Sequence, residues 1–152
     1  SVFQGRASGG GLLRDSEGNL IFAYYKEFGE SDVLMVESLS LLHGLLLCSE
    51  RHFHHLMVEV DLETLVRLLN LGVVSKWLLC NILRRVHGLL FDSSSSLVHV
   101  YRETSSMADK LAGLRLPQDN FFPSFQYLPA IVRSSLILDR RGFSHVRLCT
   151  GL

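Results

Sequence analysis

From Val33 to Cys48 the chain is apolar nearly all round a helix, broken mainly by Glu37, a few serines and His43. A helix with one apolar stripe lies on a surface. One that is apolar all round has to be covered on more than one side. The rest of the fold must therefore supply a layer beneath this helix and a layer above it. The neighbouring sequence offers both. Ahead of it, Gly9-Gly10-Gly11 leads into Leu12-Leu13-Arg14-Asp15, the turn Ser16-Glu17-Gly18-Asn19, and the aromatic and β-branched run from Leu20 to Lys26. This pattern predicts an antiparallel hairpin closed by Phe28-Gly29-Glu30. Ser31, followed by Asp32, is the expected N-cap of the long helix.

Downstream, Arg51 to His55 is a polar connection and Leu56 to Asp61 a short strand. Leu62 to Leu69 has helical spacing and ends at Asn70-Leu71-Gly72. A second long helix is expected from Lys76 to Leu90, with Leu78, Ile82, Val86 and Leu89 on one face. The serine run between Asp92 and Ser96 reads as a solvated loop, Leu97 to Tyr101 as a strand and Thr104 to Leu114 as a helix. The order is β-β-α-β-α-α-β-α, with room for one further strand ahead. It predicts an α/β fold: a mixed sheet with an opening antiparallel hairpin and helices on both faces. Residues 116–152 differ in character from residues 1–115. They contain Pro117, Pro123 and Pro129, a short amphipathic helix from Pro129 to Leu138, and a basic Asp139-Arg140-Arg141-Gly142 turn. They read as a C-terminal tail on a domain of residues 1–115.

Composition narrows the function classes. A length of 152 residues suits one domain with a sizeable core. The 47% apolar content and a mean hydropathy of +0.24 leave room for an apolar surface that meets a partner. Formal net charge is zero and the pI about 7.0, so any nucleic-acid-binding patch has to be local. Cys48, Cys80 and Cys149 are odd in number and lack CxxC spacing, which predicts reduced thiols, no zinc site and an intracellular setting, nuclear or cytoplasmic. No uncharged apolar stretch reaches the roughly 18 residues of a membrane span, and no secretory signal pattern opens the chain.

Three acidic residues carry the chemistry. Asp61 ends a strand before a helix, where capping is its commonest role. Asp109 falls near the start of the last helix, where it complements the dipole. Glu37 lies beyond the first turn of an apolar helix, so neither explanation serves it. Burying a lone carboxylate costs several kcal/mol unless it is paired or metal-bound. Carboxylates on a buried helix, at a strand end and on a late helix can converge. Clustered in this way they stay ionised together only with cations between them, which suits two-metal phosphoryl chemistry.

The chain resembles the ribonuclease H family, and specifically its plant reverse-transcriptase-like, retroelement-related branch. The resemblance rests on Gly9 to Leu20, Glu37-Ser38-Leu39 through Gly44-Leu45, Val58-Glu59-Val60-Asp61, His99-Val100-Tyr101-Arg102-Glu103 and Ala108-Asp109-Lys110-Leu111-Ala112. Leu128-Pro129 and Leu138 to Gly142 resemble the segment C-terminal to the domain in these plant proteins. It implies an RNase H-like fold, cleavage of the RNA strand of RNA–DNA hybrids, and magnesium or manganese held by Glu37, Asp61 and Asp109. It also implies a further Asp on a strand just ahead of Ser1, so catalysis is expected to be impaired in a chain that starts at Ser1. Leu62 and the apolar residues around Val33-Leu34 stand where the plant pattern is polar.

Other groups have weaker claims. His52, His54 and His55 are close enough in sequence to suggest zinc, although a polar turn explains them better. Lys76, Trp77, Arg84 and Arg85 form a basic, aromatic-tipped helix that could meet nucleic acid; a solvated face with Trp77 turned inward explains them equally well. The glycine run has no Lys-Ser/Thr after it, so it reads as a strand edge needing close backbone approach rather than a phosphate loop. Two functions remain: an RNase H-type nucleic-acid domain, or a degenerate module of the same fold that binds protein.

Overall fold

A computed structural model describes residues 2–3, 6–60, 63–71, 77–99, 114, 116–138 and 146–150. Its strands are β1 (Val2–Phe3), β2 (Arg6–Arg14), β3 (Leu20–Gly29), β4 (Leu56–Val60), β5 (Ser96–His99), β6 (Asn120–Phe122) and β7 (Val146–Thr150). Its helices are α1 (Val33–Glu50), α2 (Glu63–Leu71), α3 (Trp77–Asp92) and α4 (Ala130–Leu138). The strands form a seven-stranded mixed sheet in the order β5-β4-β7-β2-β3-β6, with β1 paired to β2.

The hairpin forms as its sequence predicts. β2 and β3 pair antiparallel from Ala7↔Gly29 to Arg14↔Leu20. At the turn the Asp15 carboxylate accepts the Glu17 and Asn19 N–H groups, and Gly18 takes φ +87°. Hydrogen bonds from Asn19 above all, with Glu17 and Gly18, hold the Asp15 carboxyl below its ordinary pKa against the desolvation that raises it.

The long apolar helix meets its two layers. α1 packs on β2, β3 and β7 on one side and on α3 on the other. Its buried residues include Val36, Leu41, Leu42, Leu45 and Cys48, joined by Leu79, Ile82, Leu83, Val86 and Leu90 from α3. With 18 residues at hydropathy 1.5, α1 is long and apolar enough to cross a membrane, Glu37 and Glu50 notwithstanding; half of it is buried within the fold. Its cap is Asp32 rather than Ser31: the Asp32 carboxylate accepts the Met35 N–H at 2.8 Å. A carboxylate reaches the third helical N–H as well as a hydroxyl does, and one step in register decides between them.

Two strands come from the segment read as tail. β6 extends the sheet beyond β3, with Ala23↔Phe122 and Tyr25↔Asn120 in register. β7 lies inside the sheet, parallel to β2 and antiparallel to β4. At three and five residues they are too short for periodicity to reveal. Leu128 and Val132 join Leu12, Ala23, Tyr25 and Phe122 in a second core. The serine run is not simply solvated. Ser93 Oγ donates to the Leu89 carbonyl at 2.7 Å, and Ser95 Oγ accepts the Leu56 N–H at 3.0 Å, tying the end of α3 to the start of β4. β5 begins at Ser96, one residue earlier than expected.

Candidate active site

The glycine run of β2 lets α1 approach. A methyl group on Gly9 would lie 2.8 Å from Ser40 Oγ and 3.0 Å from the Phe28 ring, and one on Gly11 would collide with Tyr24. Close backbone approach is therefore correct, but β2 is not an edge: at Gly11 it pairs with Tyr24 on one side and Val146 on the other.

Tyr24 fastens the contact, its hydroxyl donating to the Ser40 carbonyl at 2.8 Å. Burial raises the pKa of that hydroxyl; the bond to Ser40 opposes this, and negative charge at Cys48 and Glu37 adds to it. Glu37 therefore lies within electrostatic reach of Tyr24. It sits one helical turn before Ser40 and is only 3% exposed.

One transverse row of the sheet orients the site. His99 pairs with Val60, Val60 with Val146, Val146 with Gly11, and Gly11 with Tyr24. β4 stops in this row at Val60, immediately before Asp61. The turn of α1 that carries Glu37 lies at the same end of the sheet, since the next turn crosses β2 at Gly9. Asp61 and Asp109 themselves lie outside the described residues. Among the described residues no three His, Cys, Asp or Glu side chains group to hold a metal ion.

His99 ends β5 level with Val60 and is half-buried. In the sequence it is only one letter of a motif; parallel pairing with β4 brings it to the end where β4 stops. Glu59 on β4 is also half-buried, one residue before that row.

The other candidates lie elsewhere. Trp77 opens α3 and is 78% exposed, not turned inward; Arg84 and Arg85 are exposed on the same helix, and Lys76 lies outside the described residues. His52 and His55 hold φ of 60° and 54° in the connection after α1, where the His55 N–H donates to the Ser93 carbonyl at 2.8 Å. His43, on α1, stacks edge-on against Tyr24. Burial first, then Lys26, lowers its pKa, with Asp119 and Glu50 opposing.

Residues 1–114 match the family model described as reverse transcriptase-like. An Arabidopsis thaliana protein named "Putative ribonuclease H protein" is 32% identical over 144 residues, which are 94% of this chain and 23% of that protein. The chain thus spans about a quarter of the length of the curated relative it matches. No solved structure matches it. A helix packed across a mixed sheet, a buried glutamate at the end where β4 stops, and these two matches agree: the chain belongs to the reverse-transcriptase-like family, a plant retroelement-related branch with the RNase H-like fold.

Proposed function

We propose that this domain binds nucleic acid at the end of the sheet marked by Glu37 and the last residue of β4, and that the site serves hydrolysis of the RNA strand of RNA–DNA hybrids. The observation that carries this reading is Glu37 itself, 3% exposed on α1 above the glycine run of β2. Desolvating a carboxylate costs several kcal/mol, a cost that pairing or a bound metal ion offsets.

Glu37, Asp61 and Asp109 are the residues that would hold divalent ions. All three are hard oxygen donors, the chemistry that suits magnesium or manganese. Bound there, two such ions would supply an activated water and a stabilised leaving oxygen. The chain's own contribution is positional. Burial restricts the Glu37 side chain, and the Tyr24–Ser40 bond sets the height of α1 over β2. β4 ends at the same end with Val60, the residue before Asp61 in sequence.

The family resemblance adds an Asp ahead of Ser1. The comparison of interest is therefore between the 152-residue chain and a form extended upstream to include that Asp. The test is magnesium-dependent cleavage of a labelled hybrid by both forms. Cleavage by the longer form, abolished by Asp61→Asn and by Glu37→Gln, supports the reading. If neither form cleaves or binds hybrid, the nucleic-acid reading fails and a protein-binding module takes its place.

A further inference from the structure

The outer face of α3 carries exposed aromatic and basic side chains. Leu79, Ile82, Leu83, Val86 and Leu90 bury one side of the helix. On the other side Trp77 is 78% exposed and Phe91 84%, with Arg84 exposed between them. Trp77, Arg84 and Phe91 are seven residues apart in each step, close to two helical turns, so they form a single stripe. The stripe is about 21 Å long at the helical rise. Gly88 lies between Arg84 and Phe91 with open space where a Cβ would stand, which leaves a shallow gap. Arg85 and Leu78, both exposed, flank the stripe. Among the described residues neither Arg84 nor Arg85 has a carboxylate ion-pair partner, and Arg84 donates a long hydrogen bond to Cys80 Sγ. The negative charge on this side of the helix is Asp92, at its end.

Two aromatic rings and two guanidinium groups free of carboxylates, on one open face, match one ligand chemistry. We infer that the outer face of α3 binds single-stranded nucleic acid, with bases stacked on Trp77 and Phe91 and phosphates held by Arg84 and Arg85. Rings offered to solvent can stack only unpaired bases, because duplex bases are already stacked on each other. The arginines supply local positive charge for the backbone phosphates in a protein whose net charge is zero. This deepens the nucleic-acid reading above and rests on it only for the class of partner. None of these residues belongs to the carboxylate set.

Trp77 is the single tryptophan of the chain, so its emission reports on this face alone. The experiment is a fluorescence titration with short oligothymidylate, oligouridylate and an RNA–DNA hybrid, with polarisation of labelled oligonucleotide as a second readout. Single strands are expected to quench Trp77. Arg84→Ala with Arg85→Ala should weaken binding at least about tenfold and lower the salt slope by roughly 1.4. Phe91→Ala should weaken it about fivefold or more. Binding without a change in Trp77 emission overturns the inference. So does equal quenching by the hybrid, or a double arginine variant, folded by circular dichroism, that binds as well as the parent. Glu37→Gln separates the two readings, because it should abolish cleavage by the longer chain and leave this quenching unchanged.

Discussion

At the scale of single residues, the contact between α1 and β2 depends on missing side chains as much as on present ones. Gly11→Ala would drive a methyl into the Tyr24 hydroxyl and ring, both wholly buried. Overpacking of this kind costs about 1–3 kcal/mol, and the Tyr24–Ser40 bond would be displaced with it. Urea denaturation of the variant should show that loss, while Gly18→Ala at the exposed turn reports only the strain of positive φ. Cys48 gives a second check. Burial pushes its thiol up to about 12, with Arg51 pulling weakly the other way. It should therefore resist alkylation at neutral pH in the folded protein and react once the chain is unfolded; fast labelling of Cys48 in the native state would contradict its burial. The need for close approach at Gly9 to Gly11 is legible in sequence, because few other roles suit three glycines in a strand. The partner is not. Ser40 and Tyr24 meet those glycines only after helix and hairpin have packed.

At the scale of elements, helix types and most strand positions follow from periodicity, and the ends are set by local hydrogen bonds. Asp32 rather than Ser31 caps α1. Asp32→Ala should cost about 1 kcal/mol in thermal or urea unfolding, and Ser31→Ala much less. The edge strand β6 is held by a charged clip: Asp119 accepts the Glu27 N–H at 2.8 Å and Lys26 Nζ at 2.7 Å, beside an ion pair between Arg6 and Glu27. Desolvation raises the Asp119 pKa, but the bonds from Glu27 and Lys26, with the charges of Lys26 and His43, outweigh it and the net shift is downward. A carboxyl with a depressed folded pKa stabilises the fold above its unfolded value. That contribution is lost as the pH falls below about 4 towards the folded pKa. Asp119→Asn should therefore lower the melting temperature at pH 7, and the difference from the parent should shrink as the medium is acidified below the folded pKa of Asp119. The effect should be small, because this side chain is 48% exposed. Arg51, stacked 4.3 Å from the Phe121 ring centroid, holds the same strand from the other side.

At the scale of the whole molecule, β7 joins the sheet. Without it β4 and β5 would form one piece, and β2, β3 and β6 another, each with an open edge beneath α1. Leu148 pairs with Leu13 on one side and Val58 on the other. Proline there removes a ladder N–H from the interior of the sheet, a position proline rarely tolerates. Leu148→Pro should destabilise the fold severely and raise binding of a hydrophobic dye; a variant that unfolds at the parent urea midpoint would show that β7 contributes little. The long buried helix, the hairpin before it, the strand after it and the carboxylate of Glu37 inside an apolar helix can all be read from the order of residues alone. These are set by patterns within a dozen residues, where side-chain periodicity and capping chemistry act directly. Three features emerge only once the chain has packed: residues 146–150 lie between β2 and β4, His99 ends level with Val60, and Trp77 faces outward. Each of those depends on contacts between distant parts of the chain. Backbone ladder bonds are alike for every residue type, so local sequence does not say which strand a short segment will join.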